Sequence, residues 1–257
     1  MPAETALITG ASSGIGAELA RAFAAGKSNL VLVARSKQQL ERLAEELRNA
    51  EGVKVRVVAQ DLAEPGAADA IFDHLAGEGV TVDVLVNDAG FGAVGSVAAL
   101  PVEREMDMIQ VNVASLAHLT RLFLPGMLQR NCGGILNVGS TAAFQPGPNM
   151  AVYFATKAFV LSFTEALAEE LSGTAVNATC LCPGPTATRF GAEAGMEHTL
   201  LFRMGKMDAK TVAAEGLRAF RRGQVVAIPG IRNKLAAFSV RLTPRFMVRK
   251  LAKLLVR

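Results

Sequence analysis

The chain has a single tyrosine, Tyr153, and Lys157 follows it four positions later. On a helix that spacing brings both side chains to one face. Ser140 stands thirteen residues upstream, and Asn112 stands further back in a long helical pattern. A phenol ionises at a pH of about 10 and is a poor acid–base group at neutrality. An ammonium a few ångströms away favours the phenolate and draws its pKa toward the working pH. A serine hydroxyl beside it can orient and polarise a carbonyl oxygen. The set suits proton transfer to a developing alkoxide while a nicotinamide supplies hydride. No metal is needed for this, and none is expected. His74, His118 and His198 are scattered, and Cys132, Cys180 and Cys182 lack a CxxC spacing. The cysteines read as small core hydrophobes of a protein in a reducing compartment.

A second constellation lies near the start. An apolar run leads into Thr9-Gly10-Ala11-Ser12-Ser13-Gly14-Ile15-Gly16, and a helical pattern follows. Gly10 permits a tight turn out of a strand. Gly14 lets backbone approach a pyrophosphate, and Gly16 lets the helix pack close to the sheet. The helix N-terminus then offers N–H groups to phosphates. A turn built only for chain reversal would also use glycines here. The second strand ends at Ala34-Arg35-Ser36-Lys37, where an NAD site would place Asp or Glu. A cation there, facing Ser12 and Ser13, matches a 2′-phosphate and favours NADP(H), with NAD(H) as the alternative. Arg35 could instead be a solvated side chain at a helix start. Asp61, before Leu62, could accept from an adenine amino group or simply cap a helix. Asn87-Asp88-Ala89-Gly90 places small polar groups where a cofactor ribose would lie.

The elements that would hold these groups alternate. Strand-type runs are Ala6–Thr9, Leu30–Ala34, Val53–Ala59, Val82–Val86, Ile135–Val138, Ala175–Leu181 and Val225–Ile228. Several are continuously apolar, as strands buried on both faces are. Helical patterns between them are Ile15–Ala25, Lys37–Asn49, Ala67–Ala76, Val102–Gln129 with a break, Ala151–Leu171 and Ala209–Arg222. The alternation predicts one α/β domain: a doubly wound, Rossmann-like parallel sheet of about seven strands with helices on both faces. That domain would span residues 1–230, with an irregular insert at 185–207, followed by a tail at 231–257.

These motifs, in this order, resemble the short-chain dehydrogenase/reductase family: Thr9-Gly10-xxx-Gly14-x-Gly16, Asn87-Asp88-Ala89-Gly90, Asn112, Ser140, Tyr153-xxx-Lys157 and Pro183-Gly184-xxx-Thr188. The resemblance covers about residues 3–230. It implies Tyr153 as acid/base and Ser140 as carbonyl orienter. It also implies that Lys157 holds the nicotinamide ribose and lowers the tyrosine pKa, and that Asn112 holds a water in a proton relay. Pro183, Gly184 and Thr188 would line the nicotinamide. The family usually has Asn where this chain has Asp88, and Asp lacks the amide donors for a bond to a neighbouring strand.

Past Thr188 the insert carries Arg189, Phe190, Met196, Leu200, Leu201, Phe202, Met204 and Met207. Opposite it should lie Phe91-Gly92-Ala93 and Ala142-Ala143-Phe144-Gln145-Pro146. Such an apolar flap predicts a lid over a hydrophobic carbonyl or alcohol substrate; a helix packed on the core is the plainer reading. Only Arg189 and Arg203 bring cations to that mouth, which disfavours a highly anionic substrate. The leading expectation is an NADPH-dependent carbonyl reductase. The alternatives are an NAD-dependent alcohol or hydroxysteroid-like dehydrogenase and a dinucleotide sensor without turnover.

The composition narrows the partners. About half of the 257 residues are apolar, enough for a large core, so disorder is excluded. The net charge of +4 is unevenly spread. Eight basic residues and no acidic one fall between Arg232 and Arg257, leaving 19 basic against 23 acidic in the body. No nucleic-acid partner is expected of such a body. No basic run precedes the first apolar stretch, so a signal peptide is not expected. A cytoplasmic homodimer or homotetramer is the simplest setting. Thr243-Pro244 opens a predicted amphipathic helix, Pro244–Arg257, which could pack on protein or lie peripherally on an anionic membrane.

Overall fold

The computed structural model describes residues 3–196, 199–200 and 205–255. Seven parallel strands form one sheet in the order β3-β2-β1-β4-β5-β6-β7. They are β1 (Thr5–Thr9), β2 (Asn29–Ala34), β3 (Val55–Ala59), β4 (Val84–Asn87), β5 (Gly133–Val138), β6 (Val176–Leu181) and β7 (Val226–Ala227). The central strands are buried on both faces: Leu7, Val31, Leu85 and Ile135 belong to one apolar cluster, and Ile8, Leu32, Val86 and Leu136 to the other.

The first cluster is closed by α3 (Ala67–Gly77), α5 (Leu116–Arg130) and α6 (Ala151–Glu170). The second is closed by α1 (Gly14–Ala25), α2 (Lys37–Glu51) and α8 (Ala209–Arg221). The sequence of α2 shows why: Leu40, Leu43, Ala44 and Leu47 form its buried stripe, and Gly52, at φ +69°, stops it. Asp208 caps α8 by accepting from the Thr211 N–H at 3.0 Å. By length and apolarity α6 could cross a bilayer, yet it packs against the sheet and carries Tyr153 and Lys157.

The break expected in Val102–Gln129 is a π turn. It spans Gln110–Ser115, between α4 (Val102–Ile109) and α5, and it carries Asn112.

The chain reverses its order of sheet filling at β1, which is flanked by β2 and β4. A doubly wound sheet opens a crevice at that switch point, beyond the C-terminal strand ends.

The insert is pinned at its base. Thr186 bridges to Met207, Ala187 N–H donates to the Met207 carbonyl at 2.8 Å, and Met207 N–H donates to the Pro185 carbonyl at 2.9 Å. It contains the short α7 (Phe190–Glu193). His198, Leu201, Phe202, Arg203, Met204 and Arg257 lie outside the described residues.

The tail holds two helices where one was expected: α9 (Ile231–Leu242) and α10 (Arg245–Leu255). The first has no side-chain cap to announce it, since Gly230 stands at its N-terminus. Val248 and Ala252 of α10 are buried, but Met247, Leu251 and Leu254 are exposed. Cys180 and Cys182 are core residues, whereas Cys132 is exposed and is not one.

Candidate active site

The switch-point crevice is a cleft of about 440 Å³ that runs from the first turn to the insert. Gly10 (φ +70°) and Gly14 (φ +59°) adopt left-handed backbone that other residues reach only with strain. Space forbids a side chain at Gly10, where a β-carbon would lie 2.9 Å from the Ala89 nitrogen, and crowds one at Gly14, 3.1 Å from a Thr188 methyl. Ser12, Ser13 and Ile15 complete this lip of the cleft. Ser13 precedes α1 without capping it through its side chain, so the Gly14 and Ile15 N–H groups at the start of α1 are available to an anion. Gly16 is different. It lies behind the cleft, where a β-carbon would meet the Gly10 carbonyl oxygen at 2.6 Å. Its role is helix-to-sheet packing rather than ligand contact.

Arg35 borders the cleft with 75% of its side chain exposed, and its guanidinium reaches Asp61 at 4.0 Å. Asp61 also accepts from the Ala63 N–H at 3.0 Å, so one of its oxygens is taken by the turn. Leu62 lines the cleft, and its carbonyl accepts from the Ser115 hydroxyl at 2.7 Å, which ties the adjoining wall to the π turn. Ala89, Gly90, Pro183, Gly184 and Thr188 are also at the cleft surface. Gln60, Ser36 and Gln39 line it beside Arg35 and were missed. Their positions after strands β2 and β3 were the available signal.

Asn87 corrects the expectation. It is buried and turned into the sheet, where its Nδ2 donates to Asn137 Oδ1 at 2.9 Å and to Thr120 Oγ1 at 3.3 Å. Strand alternation sends the next residue, Asp88, to the cleft instead. The neighbouring strand is still tied to this segment without an amide: the Asp88 and Ala89 N–H groups both donate to the Thr9 hydroxyl at 3.1 Å. Burial pushes the Asp88 carboxyl up to about 7, against the opposing influence of Lys157 and the Gly16 N–H.

Asn112 is buried outside the cleft. Its Oδ1 accepts from Phe91 N–H at 3.1 Å, while Nδ2 donates to the Phe91 carbonyl at 3.0 Å and to Thr156 Oγ1 at 3.0 Å. Both Nδ2 protons are thus used, while Oδ1 keeps a second lone pair.

Ser140, Tyr153 and Lys157 do converge on the cleft. Ser140 follows β5, and its oxygen accepts from the Ala142 N–H at 3.1 Å. Tyr153 and Lys157 sit one turn apart on α6. The electrostatics differ from the expectation. Burial pushes the Tyr153 phenol up to about 12, and the neighbouring Ser140 hydroxyl is what opposes this. Lys157 Nζ donates to the Val138 carbonyl at 2.7 Å and lies 6.0 Å from the centre of the tyrosine ring. Burial also lowers the pKa of Lys157 itself, opposed by Asp88, Cys180 and Cys182.

The substrate end is mixed: an apolar cluster surrounds Tyr153, but Asp107, Arg189, Glu193 and Arg104, a cation beyond those expected, also line the cleft. Tyr153 sits in a cluster with Ala93, Ala142, Met150, Phe154, Ala194 and Met196. The Phe190 ring lies 5.3 Å from the Tyr153 ring, and the Val94 N–H donates to the Ala194 carbonyl at 3.0 Å, so the insert folds over the phenol. Ala143 and Phe144 turn away and pack with Leu116 and Val160, while Gln145 stays in the cleft. Leu200 is exposed and Met207 packs toward the α1 side.

The glycine cradle, the open helix start and the polar strand ends fit a dinucleotide. The chain matches the family model described as short chain dehydrogenase over residues 4–199. It is 34% identical over 233 residues to a short chain dehydrogenase of Pseudocercospora fijiensis, covering 88% of this chain and 72% of that one. A short-chain dehydrogenase from Sphingobium yanoikuyae, solved with NADPH, superimposes with a TM-score of 0.84 at 34% identity, covering 93% of each chain. One from Burkholderia phymatum, solved with NAD, gives a TM-score of 0.82 at 29% identity, covering 98% of this chain and 95% of that one. The chain therefore belongs to the short-chain dehydrogenase/reductase family, as an oxidoreductase built around a nicotinamide dinucleotide site.

Proposed function

We propose that this enzyme reduces the carbonyl of a hydrophobic ketone or aldehyde to an alcohol, with NADPH as cofactor. The observation that carries the reading is the placement of Tyr153: a phenol beside Ser140 and one helical turn from Lys157, inside an apolar cluster at the cleft. Burial keeps its proton on at neutral pH, and the negative charge developing on the carbonyl oxygen is what draws it off.

NADPH, when bound, supplies hydride to the carbonyl carbon. Ser140 orients the carbonyl oxygen, and Tyr153 O–H delivers the proton to that oxygen as its negative charge develops. One hydride and one proton thus convert the carbonyl to a hydroxyl. Tyr153 recovers its proton from solvent. Lys157 holds a ribose hydroxyl with donors beyond the one given to Val138. Arg35, with Ser12 and Ser13, takes the 2′-phosphate; support comes from its exposure on the cleft rim and from the lack of a carboxylate at that position. Pro183, Gly184 and Thr188 line the nicotinamide end.

The same reading puts the enzyme in the cytoplasm as a homodimer or homotetramer. The exposed stripe Val102, Met106 and Ile109 on α4 supports self-association. The test is a panel of apolar and anionic carbonyl compounds followed by loss of NADPH absorbance. Turnover of apolar ketones with NADPH is the expected result. Turnover only of alcohols with NAD would reverse the assignment.

A further inference from the structure

The two tail helices present an apolar surface to solvent. On α9, Ile231, Leu235, Phe238 and Leu242 recur at i, i+4, i+7 and i+11, which is one stripe of a helix. All four are exposed, from 57% at Phe238 to 74% at Leu242. On α10, Met247, Leu251 and Leu254 form a second exposed stripe, beside the strip that buries Val248 and Ala252. Side chains of this kind cover themselves where anything can cover them.

The charge beside these stripes is of one sign. Arg232, Lys234, Arg241, Arg245, Arg249, Lys250 and Lys253 have no acidic residue between them. Among the described residues, none of these seven forms an ion pair within 4.0 Å. A self-contact through this face would set like charge against like. The α4 stripe differs, because it runs beside Glu103, Arg104 and Asp107. An occupant of the tail face must be apolar and carry negative charge over an extended area. Helices of 12 and 11 residues reach about 18 Å and about 17 Å, too short for a bilayer core of about 30 Å. They suit the plane of an interface instead.

We propose that α9 and α10 dock this enzyme on the surface of an anionic lipid bilayer. The apolar stripes enter the headgroup boundary and the unpaired cations meet lipid phosphates. This goes beyond the reaction assigned above and does not depend on it.

The test is co-sedimentation of the full chain with phosphatidylglycerol-containing vesicles and with pure phosphatidylcholine vesicles. At low salt, at least tenfold more protein should pellet with the anionic vesicles, and salt should release it. The double variants Phe238→Ser/Leu242→Ser and Arg249→Glu/Lys250→Glu should each lose at least fivefold of that binding. Both should keep the melting temperature and NADPH turnover of the parent. Full-length protein that stays in the supernatant with anionic vesicles overturns the proposal. So does vesicle binding that the variants leave unchanged. Apolar-stripe variants that lower the mass in sedimentation equilibrium without altering vesicle binding would assign the face to a second copy. Because pelleting requires no turnover, a wrong substrate assignment leaves this result standing.

Discussion

The Asp88 carboxylate and Gly16 are packed so closely that a β-carbon on residue 16 would lie 2.5 Å from Asp88 Oδ2. The same carboxylate accepts from the Gly16 N–H and faces Lys157. The join between α1 and the sheet therefore rests on a titratable group.

That group fixes a pH dependence. Burial raises the Asp88 pKa from 3.8 to about 7, so between those values the folded chain holds a proton that the unfolded chain has lost. Stability from this residue is present below the lower value and falls as pH rises to about 7. Asp88→Asn cannot ionise. Its melting temperature should change less between pH 5 and pH 8 than that of the parent, by thermal denaturation at both. Equal changes in the two proteins would remove Asp88 as the source.

Gly16→Ala tests the packing from the other side. The added methyl has backbone on one flank, the Gly10 carbonyl at 2.6 Å, and cannot be relieved by a side-chain rotation alone. Overpacking of this kind costs about 1–3 kcal/mol. A urea midpoint equal to that of the parent would contradict the crowding.

Tyr153→Phe removes the proton donor and keeps the ring against Phe154 and Phe190. Carbonyl reduction should fall by about 10² to 10⁴ while NADPH affinity, read by fluorescence titration, holds. A variant with most of its kcat would leave the acid unassigned.

Arg35→Asp should move the ratio of kcat/KM from NADPH toward NADH by at least about tenfold, roughly 1.4 kcal/mol. An unchanged ratio would make Arg35 a bystander at the rim.

Phe190→Ala removes the ring tilted against Tyr153 at 5.3 Å. Bulky ketones should gain in kcat/KM relative to small ones. A uniform loss across sizes would mean that Phe190 only supports the fold of the insert.

Much of this was legible in the residues. The strands announced themselves because sheets covered on both faces need unbroken apolar runs, and Leu30–Ala34 and Val84–Val86 are such runs. Tyr153, Lys157 and Ser140 were legible because their chemistry is scarce in this chain and their spacing is helical. Asn87 was not. A polar residue at a strand end can face ligand or core, and its partner in the register, Asn137, decides for the core. The tyrosine environment was also hidden. A spacing of four residues places Lys157 on the right face, but only the fold shows that Val138 takes one of its protons and that burial dominates the phenol.

The Asn112 amide meets both backbone groups of Phe91, accepting at 3.1 Å and donating at 3.0 Å, as a paired strand residue would. A side chain from the π turn thus stands in for a sheet neighbour just past the end of β4, where the ladder has stopped. The Phe91 amide sits in a loop by its backbone path but in a ladder by its bonding. Its hydrogen should exchange with solvent as slowly as those of the central strands, and only through openings that dismantle α6 as well, since Thr156 closes the third side of that amide.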